Sequence, residues 1–198
     1  MFVTFEGVDG SGKSTQAKLL VDWLQAEGHD ALLTREPGGT SVGEAVRNLL
    51  LHGEEMTPWT EATLFAAARS EHVAQAIRPA LDAGRHVVCD RYLDSSVAYQ
   101  GIARGLGEAY VRELSLTVTG RLLPDVTFLL LVDVDAARAR VQAKPDRIER
   151  EDDGFMSRVD EAYRALAAAE PERIVALDGA RPADDLQDEI RERVRRLL

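Results

Sequence analysis

The chain has 198 residues, of which 45% are hydrophobic, 29% charged and 6% aromatic, and its formal net charge at pH 7 is −10. This length predicts one domain whose core needs no disulfide or metal, and the single cysteine, Cys89, excludes an internal disulfide and favours a cytoplasmic location. The acidic charge disfavours binding to nucleic acid or anionic membranes, and the sequence contains neither a signal-peptide pattern nor an apolar run of about 18 residues.

Short apolar segments and longer helical patterns alternate along the chain. Segments rich in β-branched or aromatic residues predict five strands, at 2–5, 31–34, 86–89, 126–132 and 174–177. Apolar residues at helical spacing predict helices from Lys18 onward, at 42–51, 61–83 and 111–118, and at the C-terminal end. Strands separated by helices imply right-handed crossovers, so we expect an α/β fold: a five-stranded parallel sheet with helices on both faces.

Two segments interrupt this pattern. Pro79 lies inside the third helical segment and should kink it or end its first part. Residues 144–154 are charged and bounded by proline and glycine, which is typical of an exposed loop. Alternatively, this region, at about 142–154, is a mobile lid that carries Lys144, Arg147 and Arg150 over a bound anion. We expect the whole chain, residues 1–198, to form a single domain.

The most specific motif lies directly between the first predicted strand and the first helix. It matches G-x-x-x-x-G-K-[ST] over Gly7, Val8, Asp9, Gly10, Ser11, Gly12, Lys13 and Ser14, followed by Thr15. Glycines let backbone N–H groups point at phosphate oxygens, and the positive end of a helix dipole lies at the same place. The motif therefore predicts a site for a nucleoside triphosphate with Mg²⁺, in which Lys13 contacts the β- and γ-phosphates and Ser14 binds the metal. A glycine-rich turn without nucleotide is the structural alternative.

The phosphate loop alone does not name a reaction. Motors, GTPases, DNA-dependent ATPases and small-molecule kinases share it. Because the chain is short and acidic and has no obvious nucleic-acid element, we favour a small-molecule kinase.

Arginines outside the loop indicate a second anionic substrate. Arg35 and Arg91 each follow a predicted strand, and the carboxyl ends of parallel strands meet at one ligand crevice. Arg47 lies in the helix after Gly39. The planar guanidinium binds phosphate through two donors, so these arginines should converge on a phosphate group beside ATP. A surface salt bridge is the alternative for each arginine taken singly.

Two classes of acceptor remain open at this point. A phosphate acceptor has a second pKa of about 6 and needs no general base, only neutralisation of its charge and alignment. A sugar hydroxyl needs a carboxylate base, for which Asp9 and Asp90 are candidates. Asp9 is an unusual residue in a phosphate loop, and repulsion by the γ-phosphate should turn it outward. No Arg or Lys lies between Gly7 and Gly12, so the lid is the expected source of transition-state charge.

Taken together, these residues resemble the thymidylate kinase family, whose members phosphorylate dTMP with ATP. The resemblance covers nearly the whole chain and rests on FEGVDGSGKST, TREPGGT, LFAAAR, DRYLDSSVAYQG, RLLPDVTFLLLVD and DRIE. It implies the P-loop nucleoside-monophosphate kinase fold, Mg²⁺ as cofactor, a cytoplasmic homodimer, and direct in-line transfer without a covalent intermediate.

The resemblance also implies roles for single residues. Phe65 would stack on thymine and Arg69 would donate to a thymine carbonyl group, although the spacing of Phe65 is equally typical of core packing. The other implied dTMP contacts are Arg35, Arg47 and Arg91 on the phosphate, Ser96 and Gln100 on the base, Tyr99 against a ribose 2′-hydroxyl, and Asp9 on the 3′-hydroxyl. Ser14 and Asp90 are the candidate Mg²⁺ ligands.

Members of this family carry the transition-state arginine either in the phosphate loop or in the lid. Since the loop has none here, the chain resembles the lid type, and Arg147 in the DRIE motif matches best. The expected catalytic set is Lys13, Arg91, Arg147 and Asp9. Arg181 or Pro182 is expected to lie against the adenine.

Three other functions remain as alternatives to dTMP phosphorylation. A deoxynucleoside kinase would use a hydroxyl acceptor. A regulatory or DNA-partition ATPase would need no acceptor and would respond to DNA. A kinase for AMP or GMP is disfavoured only by the implied roles of Phe65, Arg69 and Tyr99.

Overall fold

Five strands form one parallel sheet in the computed structural model, which describes residues 1–141, 146–151 and 153–198. In this part of the chain the strands are β1 (Phe2–Glu6), β2 (Ala31–Arg35), β3 (His86–Asp90), β4 (Val126–Leu131) and β5 (Ile174–Asp178), in the order β2-β3-β1-β4-β5. The prediction of a five-stranded parallel α/β fold is confirmed. Four strands extend one residue further than predicted, and β4 ends one residue earlier.

Helices connect the strands and cover both faces of the sheet. Those of the described residues are α1 (Lys13–Ala26), α2 (Ser41–His52), α3 (Pro58–His72), α4 (Arg78–Asp82), α5 (Leu93–Ser96), α6 (Glu108–Val118), α7 (Val134–Arg140), α8 (Asp153–Ala169) and α9 (Ala183–Arg195). On one face, Val3 and Phe5 of β1 pack in a core with residues of α1 and α9. On the other, Phe2 and Leu129 pack in a core with residues of α6 and α8. No helix among the described residues is long and apolar enough to cross a bilayer.

The third predicted helix is divided near Pro79, as expected. A π-helical turn, Val73–Ile77, separates α3 from α4, and Pro79 lies at the start of α4. Proline has no N–H to donate to the carbonyl group four residues earlier, so the widened turn falls where an α-helical bond is missing. A second π-helical turn, Val97–Ala103, follows α5 directly. The sequence patterns did not predict this turn, α7 or α8.

The strand order determines which side chains can share a site. Glu6, Arg35 and Asp90 are the last residues of β1, β2 and β3, and Arg35 lies beside Asp90 in the β2–β3 register. Because β1 is central, the loop that follows it opens onto the middle of this edge. The edge is the ligand crevice expected for a parallel sheet.

Candidate active site

The loop between β1 and α1 is shaped to hold an anion. Gly12, which precedes the first residue of α1, has a φ of 100°, and Gly10 has a φ of 82°. A Cβ on Gly10 would lie 2.1 Å from the carbonyl oxygen of Ala137, so only glycine fits where the loop approaches α7. The Lys13 Nζ donates to the carbonyl oxygen of Val8 at 2.8 Å and lies across the loop. The N-terminus of α1 and this ammonium together form a phosphate cradle.

Ser14 and Asp90 meet beside the cradle. The Ser14 hydroxyl donates to Oδ2 of Asp90, while Oδ1 of Asp90 is buried and has no hydrogen-bond partner among the described residues. A hydroxyl and a carboxylate with a spare oxygen are hard donors of the kind that Mg²⁺ accepts beside substrate phosphates. The two side chains predicted as metal ligands are therefore adjacent, and their chemistry fits Mg²⁺.

A cleft of about 620 Å³ extends from this loop, and this volume is large enough for a nucleotide. Its lining outside the loop is rich in arginine and comes from both sides of β1 in the sheet. From the side of β2 and β3 come Arg35, Glu36, Arg47, Asp90 and Arg91, and from the side of β4 and β5 come Arg140, Gly179, Arg181, Ala183 and Leu186. Arg181, one of the two predicted adenine neighbours, therefore lines the cleft.

Asp9 lies between two cations, which explains how a carboxylate is accommodated in a phosphate loop. Its Oδ1 accepts from NH2 of Arg91 at 2.7 Å and lies 3.7 Å from Nζ of Lys13. Burial opposes ionisation, but Arg91 and Lys13 outweigh it and hold the pKa of Asp9 well below its usual value. So weak a base is poorly suited to take a proton from a sugar hydroxyl at neutral pH.

A second carboxylate, Glu6, holds Arg91 from behind. NH1 of Arg91 donates to Ser95 Oγ at 3.1 Å and to the Tyr163 hydroxyl at 3.2 Å. These two hydroxyls lie 2.5 and 2.9 Å from Oε2 of Glu6 and donate to it. Burial, reinforced by nearby Asp94, raises the pKa of Glu6 to about 7. Neither Glu6 nor Tyr163 was predicted as a site residue; the only available signal was a carboxylate directly before Gly7.

A narrower pocket adjoins the cleft and brings together most of the predicted dTMP contacts. Asp9, Glu36, Arg47 and Arg91 line both cavities. The remaining lining residues of this acceptor pocket are Pro37, Leu51, Phe65, Ser95, Ser96, Tyr99, Gln100, Asp146 and Ile148. Phe65 of α3 and three residues of the segment after β3, Ser96, Tyr99 and Gln100, thus line one cavity.

The predicted phosphate clamp is only partly assembled by the acceptor pocket. Arg47 lines both cavities and donates to the carbonyl oxygen of Pro37 at 2.9 Å. Arg35 lines the large cleft and makes two bonds to Glu44, at 2.9 and 3.0 Å. Because the side chain of Arg35 is 52% exposed, its ion pair with Glu44 is weakly held and can be exchanged for a phosphate.

Arg69 lies behind the acceptor pocket, not in its lining. The side chain is 1% exposed, and Nε bonds Oε2 of Glu36 at 2.7 Å. Its terminal nitrogens donate to Ser115 Oγ, the carbonyl oxygen of Tyr92 and Ser96 Oγ, at 2.9 to 3.1 Å. In this arrangement Arg69 positions Ser96, which does line the pocket, and its expected contact with a thymine carbonyl is not preformed.

Arg147 does not reach the phosphate loop, in contrast to its expected position over the transferred group. The side chain is 1% exposed, NH2 donates to Glu61 Oε2 at 2.7 Å and Nε donates to the carbonyl oxygen of Leu50 at 2.9 Å. A buried carboxylate needs such a partner, and Glu61 holds the guanidinium away from the cleft. Of the other two lid cations, Arg150 is exposed, and Lys144 lies outside the described residues.

Arg140, at the end of α7, occupies the place expected of a lid arginine. It lines the large cleft, and its NH1 donates to the carbonyl oxygen of Gly179 at 3.3 Å. The same nitrogen lies 3.5 Å from the carbonyl oxygen of Gly10 in the phosphate loop. Arg140 was not predicted from the sequence, although it begins the segment that leads into the lid.

Comparison with known proteins agrees on one family. The thymidylate kinase family profile matches residues 5–190. A thymidylate kinase of Clavibacter michiganensis subsp. michiganensis is 49% identical, covering 100% of this chain and 96% of the relative, and one of Leifsonia xyli is 50% identical, covering 96% and 92%. The crystal structure of thymidylate kinase from Ehrlichia chaffeensis superimposes with a TM-score of 0.81 at 34% identity, covering 98% of both chains.

Proposed function

The chain belongs to the thymidylate kinase family, and on that basis we propose that it transfers the γ-phosphoryl group of ATP to the phosphate of dTMP, which yields dTDP and ADP. One observation carries the proposal for this site. The large cleft and the acceptor pocket share Arg91 and Asp9, so two nucleotides can lie with their phosphates at one guanidinium. Residues 1–198 form one kinase domain in this proposal, with the phosphate loop at 7–15 and the lid at about 142–154.

Transfer is direct and in line, and positive charge supplies most of the catalysis. The dTMP phosphate is already mostly dianionic at neutral pH, so it attacks without a general base. Lys13 and Arg140 stabilise the transferred group, while Arg91 holds the acceptor. The lone thiol, Cys89, is no candidate for a covalent intermediate: it is buried, its Sγ–H donates to the carbonyl oxygen of Arg91, and burial raises its pKa well above the usual value.

Mg²⁺ is the cofactor in this proposal, and Ser14 and Asp90 would hold it. The adjacent hydroxyl and the unpartnered Oδ1 of Asp90 support this assignment. When bound, the ion neutralises charge on the donor phosphates. The main-chain amides of residues 7–15 orient the same phosphates.

The acceptor pocket supplies contacts for each part of dTMP. Phe65 stacks on the base, Ser96 and Gln100 bind its polar edge, Tyr99 stands against a ribose 2′-hydroxyl, and Asp9 accepts from the 3′-hydroxyl. Arg47 and Arg91 of the pocket, together with Arg35 of the adjoining cleft, bind the phosphate. Arg69 acts through Ser96, and Arg147 acts from behind Glu61.

A cytoplasmic homodimer is part of the same proposal. Apolar side chains on the exposed side of α2 and α3 support a subunit interface: Val42 is 48% exposed, Leu49 54% and Trp59 47%. Ala62 and Ala66 of α3 are buried within the subunit and therefore do not belong to this face.

An acceptor panel tests the function directly. ADP release is measured with ATP, Mg²⁺ and either dTMP, dUMP, thymidine, AMP or GMP. We expect dTMP to be the best acceptor, and Lys13→Met is the matched inactive control. Preferential turnover of thymidine would establish a deoxynucleoside kinase instead, and ATP hydrolysis stimulated by DNA without any acceptor would establish a regulatory ATPase.

A further inference from the structure

Glu61 is a buried carboxylate at the junction of three elements, and it lines neither the large cleft nor the acceptor pocket. It lies on α3, its side chain is 1% exposed, and Oε1 accepts from Nε2 of Gln100 at 2.8 Å. Arg104 donates to both oxygens, at 3.1 and 3.2 Å, and Arg147 donates to Oε2 at 2.7 Å. Glu61 therefore joins the lid segment to a residue that lines the acceptor pocket.

The charge on Glu61 fixes which end of the Gln100 amide faces it. Burial acts to raise the pKa of Glu61, but hydrogen bonds from Arg104, Gln100 and Arg147 outweigh it and lower the pKa below its usual value. An ionised carboxylate can only accept, so Gln100 must direct its NH₂ group toward Glu61. The hydrogen bond to Glu61 therefore also assigns which end of the Gln100 amide is the nitrogen and which is the oxygen.

The opposite end of the amide is then the group that a ligand meets. Gln100 lies in the π-helical turn Val97–Ala103, is 1% exposed and lines the acceptor pocket. No described residue donates to its Oε1. The pocket therefore offers the base a carbonyl acceptor at this position.

We propose that Glu61 is a positioning residue that determines base specificity, because it holds the Gln100 carbonyl toward the base and so selects pyrimidines that carry a hydrogen on N3. This inference rests on the proposed function. Thymine and uracil have an N3–H donor, whereas N3 of cytosine is an acceptor and would face Oε1 of Gln100 with no proton between them. An unpaired acceptor pair of this kind lowers affinity by roughly 10- to 100-fold.

The test compares three acceptors in four proteins. The ratio of kcat/KM for dTMP to that for dCMP is measured in the wild type, in Glu61→Gln, in the exchange variant Glu61→Gln/Gln100→Glu and in the control Glu151→Gln. dUMP, which shares N3–H with dTMP, is run alongside. Glu151 pairs with Arg104 in the same cluster and does not contact Gln100, so its variant perturbs the charges without freeing the amide.

We expect Glu61→Gln to lower the dTMP/dCMP ratio by about tenfold or more, because a neutral amide at position 61 lets the Gln100 amide turn over. Glu151→Gln should keep the wild-type ratio, and dUMP should follow dTMP in every protein. The exchange variant should recover the preference, because its carboxylate at position 100 would accept from the new amide at position 61 and present only acceptor oxygens to the base.

A ratio unchanged within about twofold in Glu61→Gln overturns the inference, and so does an equal loss for all three acceptors or an exchange variant as unselective as Glu61→Gln. If thermal melting shows that Glu61→Gln does not fold, Glu61→Asp takes its place, since it keeps the charge for both arginines but withdraws it from Gln100. Calorimetric binding of dTMP and dCMP gives the same ratio without turnover. A wild type that phosphorylates none of the acceptors refutes the proposed function, while its binding ratio still tests Glu61.

Discussion

The donor cleft and the acceptor pocket recognise phosphorylated ligands by different means. The cleft is built on one continuous loop whose glycines and helix N-terminus present main-chain groups, with Lys13 as its buried cation. The acceptor pocket is built from side chains of separate segments, and arginines in its lining or behind it are already bound to protein carboxylates: Arg91 to Asp9, Arg69 to Glu36 and Arg147 to Glu61. Substitutions in the donor cleft should therefore change turnover. Substitutions in or behind the acceptor pocket should change acceptor affinity, acceptor specificity and protein stability together.

Lys13→Ala should give the largest effect and should be confined to the donor side. Removing one preorganised cation from the developing charge lowers kcat by about 10³-fold. The affinity for dTMP should stay within a few-fold, because Arg91 keeps its bond to Asp9. Steady-state ADP release and calorimetric titration with dTMP measure the two quantities. A loss of dTMP affinity as large as the loss of kcat would erase the distinction between the two regions.

Arg91→Ala should affect both regions, since this residue lines both cavities. We expect kcat to fall by about 10²-fold and KM for dTMP to rise by about tenfold, because the guanidinium both holds and aligns the acceptor phosphate. Arg91→Lys is the matched control: it keeps the charge, loses the planar pair of donors and should recover part of the affinity. Turnover at the wild-type rate in Arg91→Ala would remove this residue from the clamp.

Arg140→Ala and Arg147→Ala together locate the transition-state cation. Arg140 lines the cleft, so its loss should lower kcat at saturating substrates by about 30-fold with little change in KM for dTMP. Arg147→Ala should act first on stability, because it deprives the buried carboxylate of Glu61 of one partner, at a cost of about 3 kcal/mol. Urea unfolding and steady-state kinetics are measured on both variants. If Arg147→Ala gave the greater loss of kcat and left stability unchanged, the cation of the transition state would be Arg147.

The same contrast explains how much the sequence could predict. The sheet and the phosphate loop follow from local patterns: alternating apolar segments, and a motif whose residues act within one short continuous stretch. In the acceptor pocket, Arg47 and Arg91 were predicted from their places in the sequence, whereas the base contacts came only through family resemblance, because Phe65 and Gln100 look like ordinary helical residues. Periodicity carries no signal for the buried carboxylates Glu6, Glu36 and Glu61, since each is recognisable only by its partners.

Arg147 shows why a motif can locate a residue without giving its role. The DRIE segment placed an arginine in the lid region, but the direction of its side chain depends on Glu61, 86 residues away in the chain. The position of Arg140 depends in turn on the close approach of α7 to Gly10. The directions of both side chains depend on tertiary contacts, which a pattern of residue types along one segment does not encode.

Glu6→Gln should produce the smallest effect, a change in the pH dependence of stability. The pKa of Glu6 is raised to about 7, so between about pH 5 and pH 7 the folded protein keeps a proton that the unfolded chain has lost. Ionisation of Glu6 therefore makes the free energy of unfolding fall as pH rises through this range, by about 2 kcal/mol. Glu6→Gln lacks this loss, and so it should gain that amount relative to the wild type between pH 5 and pH 8.

Urea unfolding at the two pH values measures the difference, in which the contribution of every other titrating group cancels to first order. Glu44→Gln is the matched control, because it removes an exposed carboxylate. Between the two pH values, Glu6→Gln should depart from the wild type by more than Glu44→Gln does. If Glu6→Gln departed from the wild type no more than Glu44→Gln does, Glu6 would be ionised throughout this range. Arg91 would then be held by two charged carboxylates, Asp9 directly and Glu6 through the hydroxyl groups of Ser95 and Tyr163.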